Sequence, residues 1–302
     1  MDRPSPRSRV VLALGAVYLI WGSTYLVLRY VVEVLPAFFT ASLRYLVAGA
    51  ALYAILRARG VAAPTRRQWL LSIPVGGLMF LVGNGFVAVA EERVSSGLAA
   101  VACAATPLFA CVLSLPFGER PSRLEWAGVA LGFGGVVLLA LGDLSAASGS
   151  GALLLLAPVG WSLGSVLSRR LSLPAGSMSA ATQMLGGGVL TFAAAVVRGE
   201  HLPTALPGRA VLALFYLIAF GSIVAFSAYT YLLRHTTTAL ATSSSYVNPV
   251  LAVLLGAVLG GERPSAGLLA PGALVVLGVA IVALGRARPS LTPRASREKK
   301  RA

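Results

Sequence analysis

Ten long apolar stretches, separated by short charged or proline-containing gaps, dominate this sequence of 302 residues. An α-helix needs about 20 mainly apolar residues to cross the hydrocarbon core of a bilayer. The stretches cover approximately residues 10–31, 35–57, 68–90, 95–117, 123–142, 150–172, 177–197, 209–233, 238–260 and 266–285. Strands of a membrane β-barrel are shorter and alternate in polarity. The sequence therefore predicts an all-α integral membrane protein with ten transmembrane helices.

The composition predicts a membrane protein. With 57% hydrophobic and 12% charged residues, the chain has too little polar surface to cover a soluble globule of this size. The net charge of +15 also suits nucleic acid, but nucleic-acid binding proteins concentrate their basic residues in a folded patch. Here the Lys and Arg residues lie in the gaps and in the tail, so we expect a lipid bilayer and no nucleic acid as partner. The sequence does not indicate an oligomeric state.

The positions of the 25 Lys and Arg residues predict the orientation. If the N-terminus is cytoplasmic, only Arg29, Arg93, Arg198, Arg209 and Arg263 lie at the outer side, and Arg44 lies within a span. All the others fall on the inner side or in the basic tail. This bias predicts a multi-pass protein of the plasma (inner) membrane with both termini in the cytoplasm.

The pentapeptide GERPS occurs twice, at residues 118–122 and 261–265. Similarity continues around both copies in a nearly constant register. Matched pairs are Leu141 with Leu284, Pro107 with Pro249, Leu98 with Leu240, Gly49 with Gly188, Leu46 with Leu185, and Trp21 with Trp161. The chain is therefore predicted to contain two repeats of five helices. Because five is odd, the second repeat enters the membrane in the opposite sense.

These features divide the chain into four parts. Residues 1–9 form a cytoplasmic N-terminal tail, 10–143 the first repeat, 144–286 the second repeat, and 287–302 a basic cytoplasmic C-terminal tail. Inverted repeats of this kind are typical of secondary transporters, where a central site is exposed alternately to the two sides. The alternative is that the duplication records only the origin of the fold.

Several segments resemble the two repeats of the EamA family in the drug/metabolite transporter superfamily. They are WGSTYLVLRY from Trp21, LRYLVAG from Leu43, and the blocks that begin TPLFACVLSLPFGERPS at Thr106 and NPVLAVLLGAVLGGERPS at Asn248. The resemblance covers residues 10 to 286. It implies ten helices as two inverted five-helix repeats, a central cavity, and export or exchange of small metabolites such as amino acids, or of drugs. The segment WSLGSVLSRR keeps Trp161 but lacks the Gly-Ser-Thr that follows Trp21.

Candidate substrate-binding residues are polar or aromatic side chains expected near the middle of the spans. Arg44 is the strongest candidate, since a charge within a span usually faces a cavity or a partner. A guanidinium also binds a carboxylate with two hydrogen bonds. The alternative is a structural Arg44 paired with helix-end carbonyls, Glu33, Glu91 or Glu92. The complete set is Trp21, Tyr25, Arg44, Asn84, Trp161, Gln183, Tyr229, Ser245, Tyr246 and Asn248.

Two prolines are predicted to kink their helices. Pro107 and Pro249 lack an N–H and crowd the carbonyl four residues earlier, which leaves that carbonyl in need of another partner. Around Pro249 the run from Thr242 to Asn248 is polar, so we expect this helix to form one wall of the site. Ser and Thr in membrane helices also serve simply as packing contacts.

No proton site at the centre of the membrane, no cofactor and no metal site are expected, and the sequence does not identify a coupling ion. All ten Asp and Glu residues fall in gaps, tails or helix ends, and neither histidine lies inside a span, whereas proton relays place such groups within the membrane. This favours a facilitator or exchanger. Two other classes stay open as alternatives: a lipid scramblase with the same fold, and an intramembrane enzyme. The sequence contains none of the motifs of zinc or serine hydrolases, so we predict that the protein is not an enzyme.

Overall fold

The computed structural model describes residues 6–118, 121–141, 149–201, 203, 206–235, 244–263 and 266–287, and these residues are almost entirely helical. The helices are α1 Pro6–Val32, α2 Ala37–Ala58, α3 Arg66–Gly76, α4 Phe86–Glu91, α5 Ser96–Cys103, α6 Thr106–Leu113, α7 Arg123–Leu141, α8 Gly149–Arg170, α9 Ser177–Arg198, α10 Gly208–Tyr216, α11 Ala225–His235, α12 Ser244–Val258 and α13 Ala266–Ala287. Two π-helical segments, Gly77–Gly85 and Leu217–Val224, join α3 to α4 and α10 to α11. A short 3₁₀ turn, Leu115–Phe117, follows α6.

Seven helices within the described residues are long and apolar enough to cross a membrane. They are Arg7–Val32, Ala37–Ala58, Arg66–Glu91, Ser96–Phe117, Gly151–Arg170, Ser177–Arg198 and Gly208–Tyr229. Two shorter apolar helices are Val247–Val258 and Gly267–Val282. The prediction of an all-helical membrane protein is therefore confirmed.

The described residues of the two GERPS segments, 118, 121 and 122 in the first copy and 261–263 in the second, lie between helices. Their first residues, Gly118 and Gly261, have φ angles of 82° and 64°, a left-handed conformation that glycine adopts without steric cost. In the first copy, Ser122 and Glu125 form a capping box at the start of α7, because each side chain accepts from the other's backbone N–H at 3.3 and 2.7 Å. In the second copy, the Glu262 carboxylate accepts hydrogen bonds from the backbone N–H and hydroxyl of Ser96 at the start of α5. The acid of the second copy therefore caps a neighbouring helix, and Glu119 of the first copy lies outside the described residues.

Glycines allow the two repeats to pack closely in a reciprocal way. A Cβ at Gly135 of α7 would lie 2.7 Å from the Pro271 carbonyl oxygen of α13, and a Cβ at Gly278 would lie 2.5 Å from Gly132 Cα. Gly135 and Gly278 are 143 residues apart, the spacing of the two GERPS copies. The contact between α7 and α13 is therefore made by matched glycines of the two repeats.

The pair α2 and α9 packs in the same reciprocal way. In α2, a Cβ at Gly49 would lie 3.0 Å from Leu185 Cγ, and in α9 a Cβ at Gly188 would lie 2.9 Å from Leu46 Cγ. These are the residues that the sequence register pairs. Small residues let membrane helices approach closely, and the contact is then made by backbone and short side chains. In each of these two pairs, α2 with α9 and α7 with α13, a helix therefore packs against its own counterpart in the other repeat.

We call the end of the bundle that carries Glu92 the Glu92 face. Arg198 at the end of α9 contacts Glu92, and the Glu200 carboxylate accepts from the Phe39 backbone N–H at the start of α2. The Tyr30 hydroxyl donates to the Leu259 carbonyl just after α12. At this face α2 begins and its counterpart α9 ends. The opposite end, which carries residues 169–176, is called the Arg170 face.

Both π segments occupy the same place in their repeats, and neither was predicted from the sequence. In each, an N–H bonds to the carbonyl five residues earlier, as between Phe86 and Leu81 and between Ala225 and Phe220. Side chains repeat this pattern: Asn84 Nδ2 donates to the Met79 carbonyl, and Ser222 Oγ donates to the Leu217 carbonyl. Such π turns are frequent at functional sites.

Of the two predicted kinks, only one coincides with a break. The chain leaves the helical path between Cys103 and Thr106, and the Thr106 hydroxyl donates to the Cys103 carbonyl at 2.7 Å. That carbonyl is the one that Pro107 was expected to leave without a partner. Pro249, in contrast, lies inside the unbroken helix α12.

The reciprocal contact between α7 and α13 can be tested with one added methyl group. We expect Gly278→Ala to destabilise the protein by about 1 to 3 kcal/mol, since the methyl group would overlap the α7 backbone. Gly134→Ala is the matched control, because nothing lies within 4 Å of the place that its methyl group would occupy. The measurement is the thermal unfolding midpoint in detergent. Equal midpoints for the two variants would contradict close packing at Gly278.

Candidate substrate cavity

A central cavity of about 520 Å³ lies between the two repeats. Its walls come from α1, α2, both π segments, α4, α5, α6, α8, α9, α11 and α12. Cavities of this size hold small molecules and bury most of their surface.

Ten of the residues singled out from the sequence line this cavity. They are Trp21, Tyr25, Arg44, Asn84, Pro107, Trp161, Gln183, Tyr229, Asn248 and Pro249. Ser245 and Tyr246 lie in α12, and their side chains are outside the described part of the structure. The residues are thus brought together, and their role as ligand-binding residues stays a prediction.

The cavity reaches the Arg170 face. Arg169, Arg170 and Ala175 contribute to its lining and are exposed to solvent at that end. At the opposite end, the lining stops at Leu28 and Val87, and none of the described charged residues at the Glu92 face belongs to it. Within the described residues, the cavity is therefore open towards one face.

Charged and polar contacts close the Glu92 face. The Arg198 guanidinium bridges Glu92 at 2.7 Å and Glu200 at 3.0 Å. Arg29 donates through one terminal nitrogen to the backbone carbonyls of Glu91 and Val94, and through Nε to Glu33. These contacts connect the ends of α1, α4 and α9 across the end of the cavity.

Aromatic rings form the inner part of the cavity. Trp21 and Trp161, matched in the two repeats, meet edge to face with their ring centroids 6.0 Å apart. Tyr229 lies 5.1 Å from Trp21, and Phe226 contacts both tryptophans. Phe80 packs against Trp161, Phe226 and Tyr45. The two indoles thus approach each other across the repeats, and the aromatic set is larger than the sequence predicted.

The two indole N–H groups differ in their partners. Trp21 Nε1 donates to the Gly221 carbonyl at 3.1 Å, within the second π segment. For Trp161, the structure shows no hydrogen-bond partner of Nε1 among the residues it describes. Because Trp161 lines the cavity, its N–H is available to a ligand.

Arg44 is 6% exposed and reaches the cavity from α2. Its Nε donates to Ser222 Oγ at 2.8 Å, and its guanidinium carbon lies 5.0 Å from the centre of the Tyr45 ring. Within the part of the chain that the structure describes, Arg44 forms no ion pair. The alternative in which Glu33, Glu91 or Glu92 pairs with Arg44 is therefore not seen, and two guanidinium nitrogens remain for a ligand.

Of the other polar side chains of the cavity, Gln183 is held by a local contact: its Nε2 donates to Ser179 Oγ at 2.7 Å. Asn248 is 8% exposed, and its Oδ1 has no hydrogen-bond partner among the described residues. A buried amide oxygen of this kind is a candidate acceptor for a ligand N–H or O–H group.

Among the cavity residues that sequence reasoning missed are Tyr45, Phe80, Ser222 and Phe226. A signal existed for Phe226, since it follows Phe86 by 140 residues, the interval between the two tryptophans. Ser222 gave no signal, because its importance comes from the fold bringing Arg44 to the second π segment.

A repeated helical bundle around a central cavity that opens to one side is typical of membrane transporters. The model of the EamA-like transporter family matches residues 8–141 and 150–284. The chain therefore belongs to that family, in agreement with the resemblance seen in the sequence, and it is a transporter rather than an enzyme.

Known relatives agree with this assignment. The chain is 44% identical over 288 residues to the "Uncharacterized inner membrane transporter YedA" of Escherichia coli K12, covering 93% of this chain and 94% of that protein. It is 26% identical over 279 residues to the "WAT1-related protein At3g02690, chloroplastic" of Arabidopsis thaliana, covering 88% and 67%. A solved structure named "Crystal structure of protein" superposes with a TM-score of 0.66 at 26% identity, covering 94% of this chain and all of that one.

The difference between the two tryptophans predicts different mutant behaviour. Trp21→Phe should destabilise the protein by about 1 kcal/mol, since it removes a buried hydrogen bond. Trp161→Phe should cost less stability and should weaken ligand binding instead. Thermal unfolding midpoints with and without ligand separate the two effects. A Trp161→Phe protein that is less stable than Trp21→Phe would show that the Trp161 N–H has a structural partner.

Proposed function

We propose that this protein is a secondary transporter that moves small carboxylated metabolites, such as amino acids or related compounds, across the plasma membrane by alternating access. It acts as an exporter or exchanger. The observation that carries the proposal is Arg44, a buried guanidinium that has no acidic partner among the described residues and lines a cavity open to one face. A buried positive charge requires a counter-charge or hydrogen-bond acceptors, and a bound carboxylate supplies both.

We further infer a topology of ten membrane helices in two inverted repeats. The support is that α2 and its counterpart α9 have opposite ends at the Glu92 face, as do α5 and α12. The domain boundaries follow from it: tails at 1–9 and 287–302, and repeats at 10–143 and 144–286. The family model divides the chain at nearly the same place, between 141 and 150.

The proposed orientation places both termini and the Arg170 face in the cytoplasm. Its support is the distribution of Lys and Arg along the chain, and the E. coli relative is named as an inner membrane protein. In this orientation the structure corresponds to an inward-open transporter. A substrate would enter from the cytoplasm and reach Arg44 and the two tryptophans.

Alternation requires that the Arg170 face can close as the Glu92 face does. Arg29 and Arg169 each follow the matched tryptophan of their repeat by eight residues. Arg29 holds the end of α4 and the following turn through backbone carbonyls, and Arg169 lies at the mouth of the cavity. In the opposite state we expect Arg169 to bind carbonyls at the end of α11, the counterpart of α4.

The role of Arg44 is tested by Arg44→Gln. A thermal-shift screen of amino acids, nucleosides and cationic drugs first identifies a carboxylated ligand. Arg44→Gln should then lower transport of that ligand by tenfold or more, because a hydrogen bond to a charged group contributes about 1.5 to 3 kcal/mol. The amount of protein in the membrane should change much less than transport does.

Ser222→Ala is the matched control for this experiment. It removes the hydrogen bond to Arg44 Nε but leaves the charge in the cavity, so its effect on transport should be smaller. If Arg44→Gln lowers transport and protein abundance equally, Arg44 is a structural residue. The uncharged amide of the same ligand gives a second check, since its transport should not depend on Arg44.

Exchange should also proceed without a pH gradient. Among the described residues that line the cavity there is no Asp, Glu or His, so this lining offers no carboxylate or imidazole to carry a proton together with the substrate. We therefore expect counterflow of the identified ligand in liposomes with equal pH on both sides. Strict dependence of counterflow on an imposed gradient would refute an uncoupled exchanger.

A further inference from the structure

Glu91 is a buried acid that the proposed transport cycle does not use. It is the last residue of α4 and is 0% exposed. Neither of its carboxylate oxygens has a hydrogen-bond partner among the described residues. The adjacent residue Glu92, in contrast, is bridged to Arg198 at the surface. Both acids therefore lie at the end of α4, but only Glu91 is buried.

An ionised carboxylate in this position is costly. Removing a charge from water without hydrogen bonds to replace hydration is strongly unfavourable, and a carboxyl group avoids this cost by holding a proton. One positive charge near Glu91 belongs to Arg29, whose described hydrogen bonds go to Glu33 and to the backbone carbonyls of Glu91 and Val94. None of them goes to the Glu91 carboxylate.

The other titratable groups around Glu91 come from α1, α2, α5 and the corner after α12. They are Tyr25 and Arg29 of α1, Arg44 of α2, Cys103 of α5, and Glu262. The Glu262 carboxylate accepts hydrogen bonds from Ser96 and is a second acid near Glu91. None of the described hydrogen bonds of Arg29 or Arg44 reaches the Glu91 carboxylate.

Opening the Glu92 face would change this environment. The contacts from Arg29 to the segment 91–94 hold α1 against the end of α4, so that opening must break them. Water and the released guanidinium would then both reach the Glu91 carboxylate. Each of them stabilises the ionised form.

We propose that Glu91 is a proton-binding site that is occupied while the Glu92 face is closed and empties when that face opens. The inference rests on the alternating access proposed above, but not on the identity of the substrate. By linkage, the state that binds the proton more tightly is favoured as the proton concentration rises. Acid on the Glu92 side therefore keeps that face closed, and higher pH favours its opening, by at most about tenfold per pH unit for one proton. The proton enters and leaves on the same side, so no gradient is required.

The experiment measures opening of the Glu92 face by cysteine alkylation. Cys103→Ala and Cys111→Ala remove the native thiols, and Val94→Cys places a reporter at a position that is 5% exposed. The protein is held in nanodiscs and treated with a membrane-impermeant maleimide across a range of mildly acidic to mildly alkaline pH. Leu206→Cys, at a position 51% exposed, supplies the reference for the pH dependence of the reagent itself.

We expect the rate at Val94→Cys, relative to Leu206→Cys, to rise with pH by up to about tenfold over one pH unit. Glu91→Gln should abolish the rise and hold the rate at its low-pH value, because the amide resembles the protonated acid. Glu92→Gln is the matched control: it weakens the surface bridge to Arg198 and should raise the rate at every pH without removing the slope. A slope that survives in Glu91→Gln, or disappears in Glu92→Gln, overturns the proposal.

Other results distinguish this proposal from the transport mechanism itself. If Val94→Cys reacts at a rate independent of pH in the parent protein, the face opens but Glu91 does not control it. If Val94→Cys never reacts in folded protein, alternating access fails and the Glu91 site with it. Folding of each variant is checked by its unfolding midpoint.

A second measurement uses the native chain and needs no variant. Dicyclohexylcarbodiimide reacts with protonated carboxyl groups in apolar surroundings. Mass spectrometry should locate the adduct at Glu91 rather than Glu92, and labelling should fall as pH rises. Equal labelling of the two residues, or labelling of Glu92 alone, would overturn the assignment of a protonated acid at position 91.

Discussion

The close contact of glycine-containing helices across the two repeats is the constraint on which the remaining structure depends. In lipid, helices gain little from hiding apolar side chains, so association relies on close packing. Gly135 and Gly278 permit it between α7 and α13, and Gly49 and Gly188 between α2 and α9. Since the same contact is made twice in opposite directions, the two repeats are joined at surfaces that are nearly equivalent. The pair α2 and α9 lines the cavity, whereas no described residue of α7 or α13 belongs to its lining.

Within the described residues, the two ends of the bundle differ. At the Glu92 face, helix ends are connected by Arg29, Arg198, Glu200 and Glu262, whereas at the Arg170 face the exposed residues Arg169 and Arg170 line the cavity. A closed end and an open end on a scaffold of matched helices agree with the alternating access proposed above. Aromatic rings at the centre belong to both repeats, and any exchange of states must preserve or rearrange their contacts.

The membrane class, the two repeats and the family could be predicted from the sequence, because apolar length and a constant register are properties of the chain itself. Ten residues selected in the same way are gathered by the fold around one cavity. The π segments could not be predicted, since an extra residue in a helical turn leaves no clear mark in a run of apolar residues. The partner of Arg44, Ser222, is 178 residues away, and the burial of Glu91 depends on neighbours from several helices. Such features arise from tertiary packing rather than from local pattern.

The π segments restrict how the third helix of each repeat can vary. One residue of an α-helix corresponds to a rotation of about 100°, so the extra residue in Gly77–Gly85 or Leu217–Val224 turns the following helix relative to the preceding one. The same continuous helix therefore faces the neighbouring repeat with one side at one end and faces the cavity with another side at its centre. Loss of a single residue there would reorient Asn84 or Ser222 away from the interior while leaving hydropathy unchanged. Length, not only polarity, is therefore under constraint in these two helices.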